Sequence, residues 1–228
     1  LSTRKGVRQE RRMLMKKGCI LCLLISVISL PLIAQNIIYS NLKELLTQHG
    51  DTTAVLRVEK RSRNQIVLTG GADYRITAGD DESMCRRLKK RCFAVRDEKG
   101  NLYLNCRKLR YKKLRFGAWY APAVQLGKNI YFCAMPLGSV IGGNFVEEDD
   151  VKLGGNIGDA LAASSLVTKR VCYELNGETG KVDFLGKDRM LQLLKNYPEL
   201  KQAYLKDDSQ EAKHTFKYLL ELQNKQKK

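Results

Sequence analysis

The sequence predicts an α+β fold, with antiparallel β-hairpins forming a sheet or partly closed barrel and C-terminal amphipathic helices after them. Three observations carry this. Apolar and β-branched runs flank turn signals at Gly100, Gly127-Lys128 and Asn176-Gly177. The apolar period then becomes helical after residue 187, at Met190, Leu193, Leu194 and Tyr197. Strands first and helices last place the helices on one face or end of an antiparallel sheet.

Residues 1–14 read as upstream translation, because the chain begins with Leu and a start stands at Met13 or Met15. Residues 15–34 read as a Sec signal peptide: Lys16 and Lys17, an apolar run from Ile20 to Leu30, Pro31, and Ala34 before Gln35. Leu32 is larger than the small residue usual before a cut. Cys19 and Cys22 come too early for a lipobox. The apolar run is shorter than the roughly 20 residues of a spanning helix. The uncharged stretch continues through Asn36-Ile37-Ile38, so an uncleaved anchor is the alternative.

Residues 35–186 are expected to be mainly β, and 187–228 a helical segment packed on the same domain. Asn41 and Glu44 form a capping box for a short helix with Ile38, Leu42, Leu45 and Leu46 on one face and Gly50 at its end. "TAVLRVE", "QIVLTG" and "YRIT" read as a three-stranded meander over 53–77. "GDDESMCRRLKKRC" places acids before cations, which suits a helix dipole. "CFAVRDEKGNLYLNC" is a hairpin that pairs Asp97 with Asn101 and sets Cys92 opposite Cys106, a possible disulfide. "AWYAPAVQLGKNIYFCAMP" is the next hairpin, with Pro122 marking an edge or a bulge.

A Gly-rich insert near 138–163, with "EEDD" at 147–150, separates these strands from the hairpin "TKRVCYELNGETGKVDFLG". Pro198 starts one helix, and Asp208 with Glu211 caps the last.

The order of a signal peptide, "NLYLNCRKLRYKK", "YFCAMPLG", a Gly/Ala-rich insert, "CYELNGETGKV" and "LLKNYPEL" before a final helix resembles small exported proteins of unknown function encoded in Bacteroidota. The resemblance implies a bacterial, extracytoplasmic setting and carries over no functional residue.

No motif for a catalytic site, cofactor or metal stands out. "GGNIGDALAA" lacks the Gly-x-Gly-x-x-Gly spacing, "LGKN" lacks the rest of a P-loop, and "PLGSVIGG" lacks a nucleophile elbow. "EEDD" lacks the interleaved ligands of a calcium loop. His49 and His214 are expected to be solvated, and a nucleophile–histidine site would need distant segments brought together. A hydrolase built on dispersed carboxylates is the competing class. Five cysteines follow residue 34, so at least one is unpaired or intermolecular; small buried thiols are the bland alternative.

Charge is the most local feature. Residues 35–228 hold 34 Lys/Arg and 23 Asp/Glu, net +11; residues 86–115 hold 13 cations and two acids, also +11. The stretch "RKLRYKKLRF" is its centre. Arg110, Lys112, Lys113 and Arg115, with Trp119 nearby, are the candidate contacts for anionic lipid headgroups or acidic polysaccharide; intracellular nucleic acid is not an expected partner of an exported chain. The bland alternative is a solvated basic face. The expectation is therefore a periplasmic or envelope binding module rather than an enzyme.

Overall fold

A computed structural model describes residues 35–53, 55–62, 64–66, 71–112, 114–135, 170–207 and 212–227. They lie in one compact unit, Gln35–Lys228. The Gly-rich insert, the Asp208–Glu211 cap and Lys113 fall outside the described residues.

The fold is α+β. The strands are β1 (Asn36–Tyr39), β2 (Asp51–Thr53), β3 (Arg57–Lys60), β4 (Tyr74–Thr77), β5 (Ala94–Arg96), β6 (Leu102–Asn105), β7 (Arg110–Tyr111), β8 (Leu114–Arg115), β9 (Tyr120–Leu126), β10 (Asn129–Ala134), β11 (Val171–Leu175) and β12 (Val182–Phe184). Ten form one antiparallel sheet in the order β12-β11-β10-β9-β6-β5-β1-β2; β4 joins at β9 and carries β3. The sheet is open rather than a closed barrel, and β7 and β8 form a separate hairpin. The α-helices are α1 (Leu42–Thr47), α2 (Glu82–Lys90), α3 (Lys187–Leu193), α4 (Pro198–Lys206) and α5 (Ala212–Gln226). Among the described residues no helix is long and apolar enough to cross a membrane.

Local chemistry accounts for most of these boundaries. Asn41 Oδ1 accepts from Glu44 N at 2.9 Å while Glu44 Oε2 accepts from Ser40 N at 2.7 Å, a reciprocal box that starts α1. Gln48, in a left-handed conformation, ends it where Gly50 was expected to. Ile38, expected on that helix, is in β1. Asp81 caps α2 by accepting from Met84 N at 2.9 Å. The helix has Glu82 in its first turn and Arg87, Lys89 and Lys90 in its last, as the dipole favours.

The expected meander is corrected in its middle member. β3 pairs directly with β4, Val58 opposite Ile76, and residues 64–66 form a helical turn in which Ile66 N donates to Ser62 O at 3.1 Å. Pro122 is also corrected, since β9 runs through the sheet interior between β6 and β10. Its position resolves the conflict: the β10 ladder ends at Ala123↔Phe132, so Pro122 is paired only with Tyr103 of β6.

Alternation sorts side chains into two faces. One carries Leu104, Ala121, Phe132, Tyr173 and their neighbours along much of the sheet. The reverse is split between a cluster with Leu88, Val95 and Tyr103 beside α2, and one with Tyr131, Met190 and Leu219 under α3 to α5.

Candidate anion-binding site

The strand after residue 115 is aimed by two unusual backbone positions. Gly117 has φ 73° and Trp119 has φ 88°, a left-handed value that costs a bulky residue conformational energy. Trp119 O accepts from Cys106 N at 3.0 Å, which fixes this bend against the start of the 3₁₀ turn Cys106–Lys108. Gly71 closes over it from the other side: a Cβ there would sit 2.5 Å from Ala118 O and 3.2 Å from Trp119 Cδ1. The segment before β4 therefore needs glycine to approach the indole.

Around Trp119 the fold gathers cations that the sequence reading did not connect with it. The Arg61 guanidinium stands 4.9 Å from the ring centroid and that of Arg75 6.0 Å. Arg61 is buried, and its head is held by Ala72 O at 2.7 Å and Gln65 O at 2.9 Å. Burial pulls its pKa below the ordinary arginine range, with the charge of Asp73 opposing. Asp73 is itself buried, ion-paired with Arg170; burial pushes its carboxyl up while Arg170, Lys60 and Arg61 draw it back.

Two clefts open on either side of this arrangement. One of about 280 Å³ is lined by Glu59, Lys60, Arg61, Gln65, Arg75 and Trp119. A smaller one of about 120 Å³ shares Arg75 and Trp119 and adds Lys89, Thr77 and Cys85. Among the described residues Glu59 is the one carboxylate lining them. Tyr120, next to Trp119 in the chain, is buried and donates to Leu88 O at 2.8 Å.

The basic hairpin β7–β8 is a separate feature. Its register is Arg110↔Arg115 and Tyr111↔Leu114, with Lys112 at φ 51° in the turn. Tyr111 and Phe116 point into the core, where Phe116 meets Tyr173 at 4.7 Å and Phe132 at 5.5 Å between ring centroids. Arg110, Lys112 and Arg115 are exposed. Among the described residues no carboxylate forms an ion pair with these three, or with Lys60, Arg75 or Lys89. Trp119 thus groups with Arg61 and Arg75, four residues along the chain from Arg115, and not on the hairpin itself.

The cysteines require a correction. The predicted register is correct, with Ala94 opposite Leu104 and Asp97 N donating to Asn101 O at 3.0 Å. Yet Cys92 and Cys106 are free. The ladder stops at Phe93 and Asn105, and the two thiols turn to opposite faces of the sheet, Cys92 among Leu88 and Tyr103, Cys106 among Leu104 and Phe116. Burial pushes Cys92 up to about 11 and Cys106 up to about 12, so neither supplies a thiolate nucleophile at neutral pH. The disulfide joins Cys133 and Cys172, directly opposed on β10 and β11.

The histidines divide. His49 is exposed, beside Thr47 O at 2.6 Å, whereas His214, expected to be solvated, pairs with Asp207 at 2.9 Å. Among the described residues no cluster of three or more His, Cys, Asp or Glu is placed to hold a metal.

Residues 37–226 match the family of unknown function DUF6563. The chain belongs to this family. No curated protein and no solved structure matches it. Family membership covers nearly all of the described fold, including both clefts and the basic hairpin, and assigns no activity to either.

Proposed function

We propose that this DUF6563 chain is an exported bacterial protein of the periplasm or cell envelope, of the kind encoded in Bacteroidota. It acts by binding an anionic partner through a basic face rather than by catalysis. The observation that carries the reading is the β7–β8 hairpin. Its aromatic residues are sunk in the core while Arg110, Lys112 and Arg115 stand exposed, with no carboxylate partner among the described residues. Arginines and lysines that only solubilise a surface are commonly interspersed with acids; the stretch Arg107–Arg115 contains none.

Export is supported by the order of basic, apolar and small residues over 15–34, and by a disulfide, which persists in oxidising compartments. The clefts favour binding over hydrolysis, because among the described residues a single carboxylate lines them where a pair is the minimum for acid–base cleavage of a glycoside.

Acidic polysaccharide fits better than a lipid surface. A membrane-surface element presents apolar or aromatic side chains to the acyl boundary. Here Leu109, Tyr111 and Phe116 are all buried. Trp119 is half-buried in its cleft.

The test is retention of the purified protein on an acidic polysaccharide resin and on vesicles of anionic phospholipid, at low and high salt. Its companion is the variant Arg110→Ser, Lys112→Ser, Lys113→Ser, Arg115→Ser. Retention on polysaccharide that the variant loses is expected. Equal retention of both proteins, or retention on vesicles alone, would overturn the reading.

A further inference from the structure

The Trp119 cleft has features that a diffuse electrostatic face does not require. Its indole is held at a strained φ, Gly71 is needed for close approach, and the Arg61 head is fixed by two backbone carbonyls. Together they give a fixed floor beneath the exposed cations Lys60 and Arg75. Small-ligand sites combine an apolar or aromatic surface with a few convergent polar groups, and a volume of about 280 Å³ lies at the small end of their range.

We infer that this cleft is a subsite for one acidic sugar residue, with its ring against the part of the Trp119 indole that lines the cleft beside Arg61 and its carboxylate between Arg75 and Lys60, away from Glu59. The electron-rich face of an aromatic ring attracts the weakly positive C–H groups of a sugar, and an arginine fork binds a carboxylate with two parallel hydrogen bonds. A bare inorganic anion would use the cations and leave the indole idle. A neutral sugar would use the indole and leave Lys60 and Arg75, set against Glu59 alone in this lining, with a cation in excess. The acidic sugar uses both. The inference rests on the reading of the protein as a binder of acidic polysaccharide and names the group it recognises. It adds Trp119, Arg75 and Lys60 to the contacts supplied by the hairpin.

Trp119 is the sole tryptophan of the chain, so intrinsic tryptophan emission reports the two clefts it lines, of which only the larger is also lined by Lys60. The experiment titrates the full-length protein with a short oligomer of galacturonic acid, with the same oligomer methyl-esterified, with inorganic phosphate, and with vesicles of anionic phospholipid. A saturable emission change with the acidic oligomer is expected, weakened about tenfold or more by the ester and by Lys60→Ser with Arg75→Ser. Both substituted residues are exposed, so folding is preserved; circular dichroism checks this. The four-residue hairpin variant should keep the response to the short oligomer.

No emission change with the acidic oligomer would overturn the inference. So would an equal change with the ester or with phosphate alone, a response to vesicles only, or indifference to the double substitution. The two readings fail separately. Equal polysaccharide retention by the parent and the hairpin variant, with an intact emission response, removes the hairpin's role, whereas retention without an emission response removes the cleft's.

Discussion

The two ends of β10 and β11 and the region around residues 107–119 treat charge in opposite ways. On β11, Glu174 is almost enclosed, yet every oxygen is used: Arg189 Nε donates at 2.8 Å and Nη2 at 2.9 Å, Tyr131 OH at 3.0 Å and Asn129 Nδ2 at 2.6 Å. Beside it, Cys133 and Cys172 staple the same pair of strands. Around 107–119, by contrast, Arg110, Lys112 and Arg115 stand exposed with no ion-paired carboxylate among the described residues, and the cleft beside Trp119 sets the exposed Lys60 and Arg75 against Glu59. A satisfied charge holds elements together, and its loss is felt as stability. An unmatched charge contributes little to folding and is available to a ligand.

That contrast can be broken at graded points. The largest effect is expected at the disulfide, which closes a loop with a sequence separation of 39 residues. Reduction, or Cys133→Ser with Cys172→Ser, should cost about 3–4 kcal/mol on the loop-entropy account. Thermal melts with and without reductant should then differ by roughly 10 °C. An unchanged melting temperature would mean that the strands need no staple.

Glu174 comes next. Burial pushes its pKa up, but the hydrogen bonds from Arg189, Tyr131 and Asn129 and the charge of Arg189 outweigh this and hold it below the ordinary glutamate value. A lowered folded pKa means that its stabilisation is complete above the unfolded value of about 4.3 and is lost as pH falls through the folded one. Glu174→Gln should cost about 2 kcal/mol at neutral pH, a moderate figure because the Arg189 side chain is 42% exposed. The cost should shrink as the parent is acidified through that window. Denaturant unfolding of both proteins across the acid range checks it; parallel curves would contradict the assignment.

The smallest effect on stability is expected from the hairpin. Replacing Arg110, Lys112, Lys113 and Arg115 by Ser should shift unfolding by no more than about 0.5 kcal/mol in all, because the side chains described there are exposed and, among the described residues, have no ion-pair partners. A substantial loss would place these cations with Glu174 rather than opposite it.

What was legible in the sequence follows the range of each interaction. The Asn41 and Asp81 caps, the 94–104 and 126–129 registers and the start of α4 at Pro198 are fixed by residues within a few positions of one another. "QIVLTG" misled because β-branched composition does not distinguish a strand from a segment that turns helical at 64–66. The symmetric spacing of Cys92 and Cys106 gave the register but not where the ladder stops. The Cys133–Cys172 pair depends on β10 lying beside β11 across the insert, which spacing alone does not reveal. Trp119 was recognised as a contact residue. Its partners Arg61 and Arg75 were not, since the β3–β4 hairpin reaches the sheet through the single pair Tyr74↔Tyr120. Gly71, just before β4, was the one local sign of that approach.

The most direct test of the central claim is the salt dependence of binding. The affinity of the parent and of the four-residue hairpin variant for an acidic polysaccharide is measured over a range of salt concentrations, with melting temperatures recorded beside it. Each cation in contact with a polyanion releases counterions and steepens the slope of log K against log salt by somewhat under one. The account predicts a clearly shallower slope and weaker binding for the variant at an unchanged melting temperature. Equal slopes for the two proteins, or a slope that changes only because the variant has lost its fold, would contradict it.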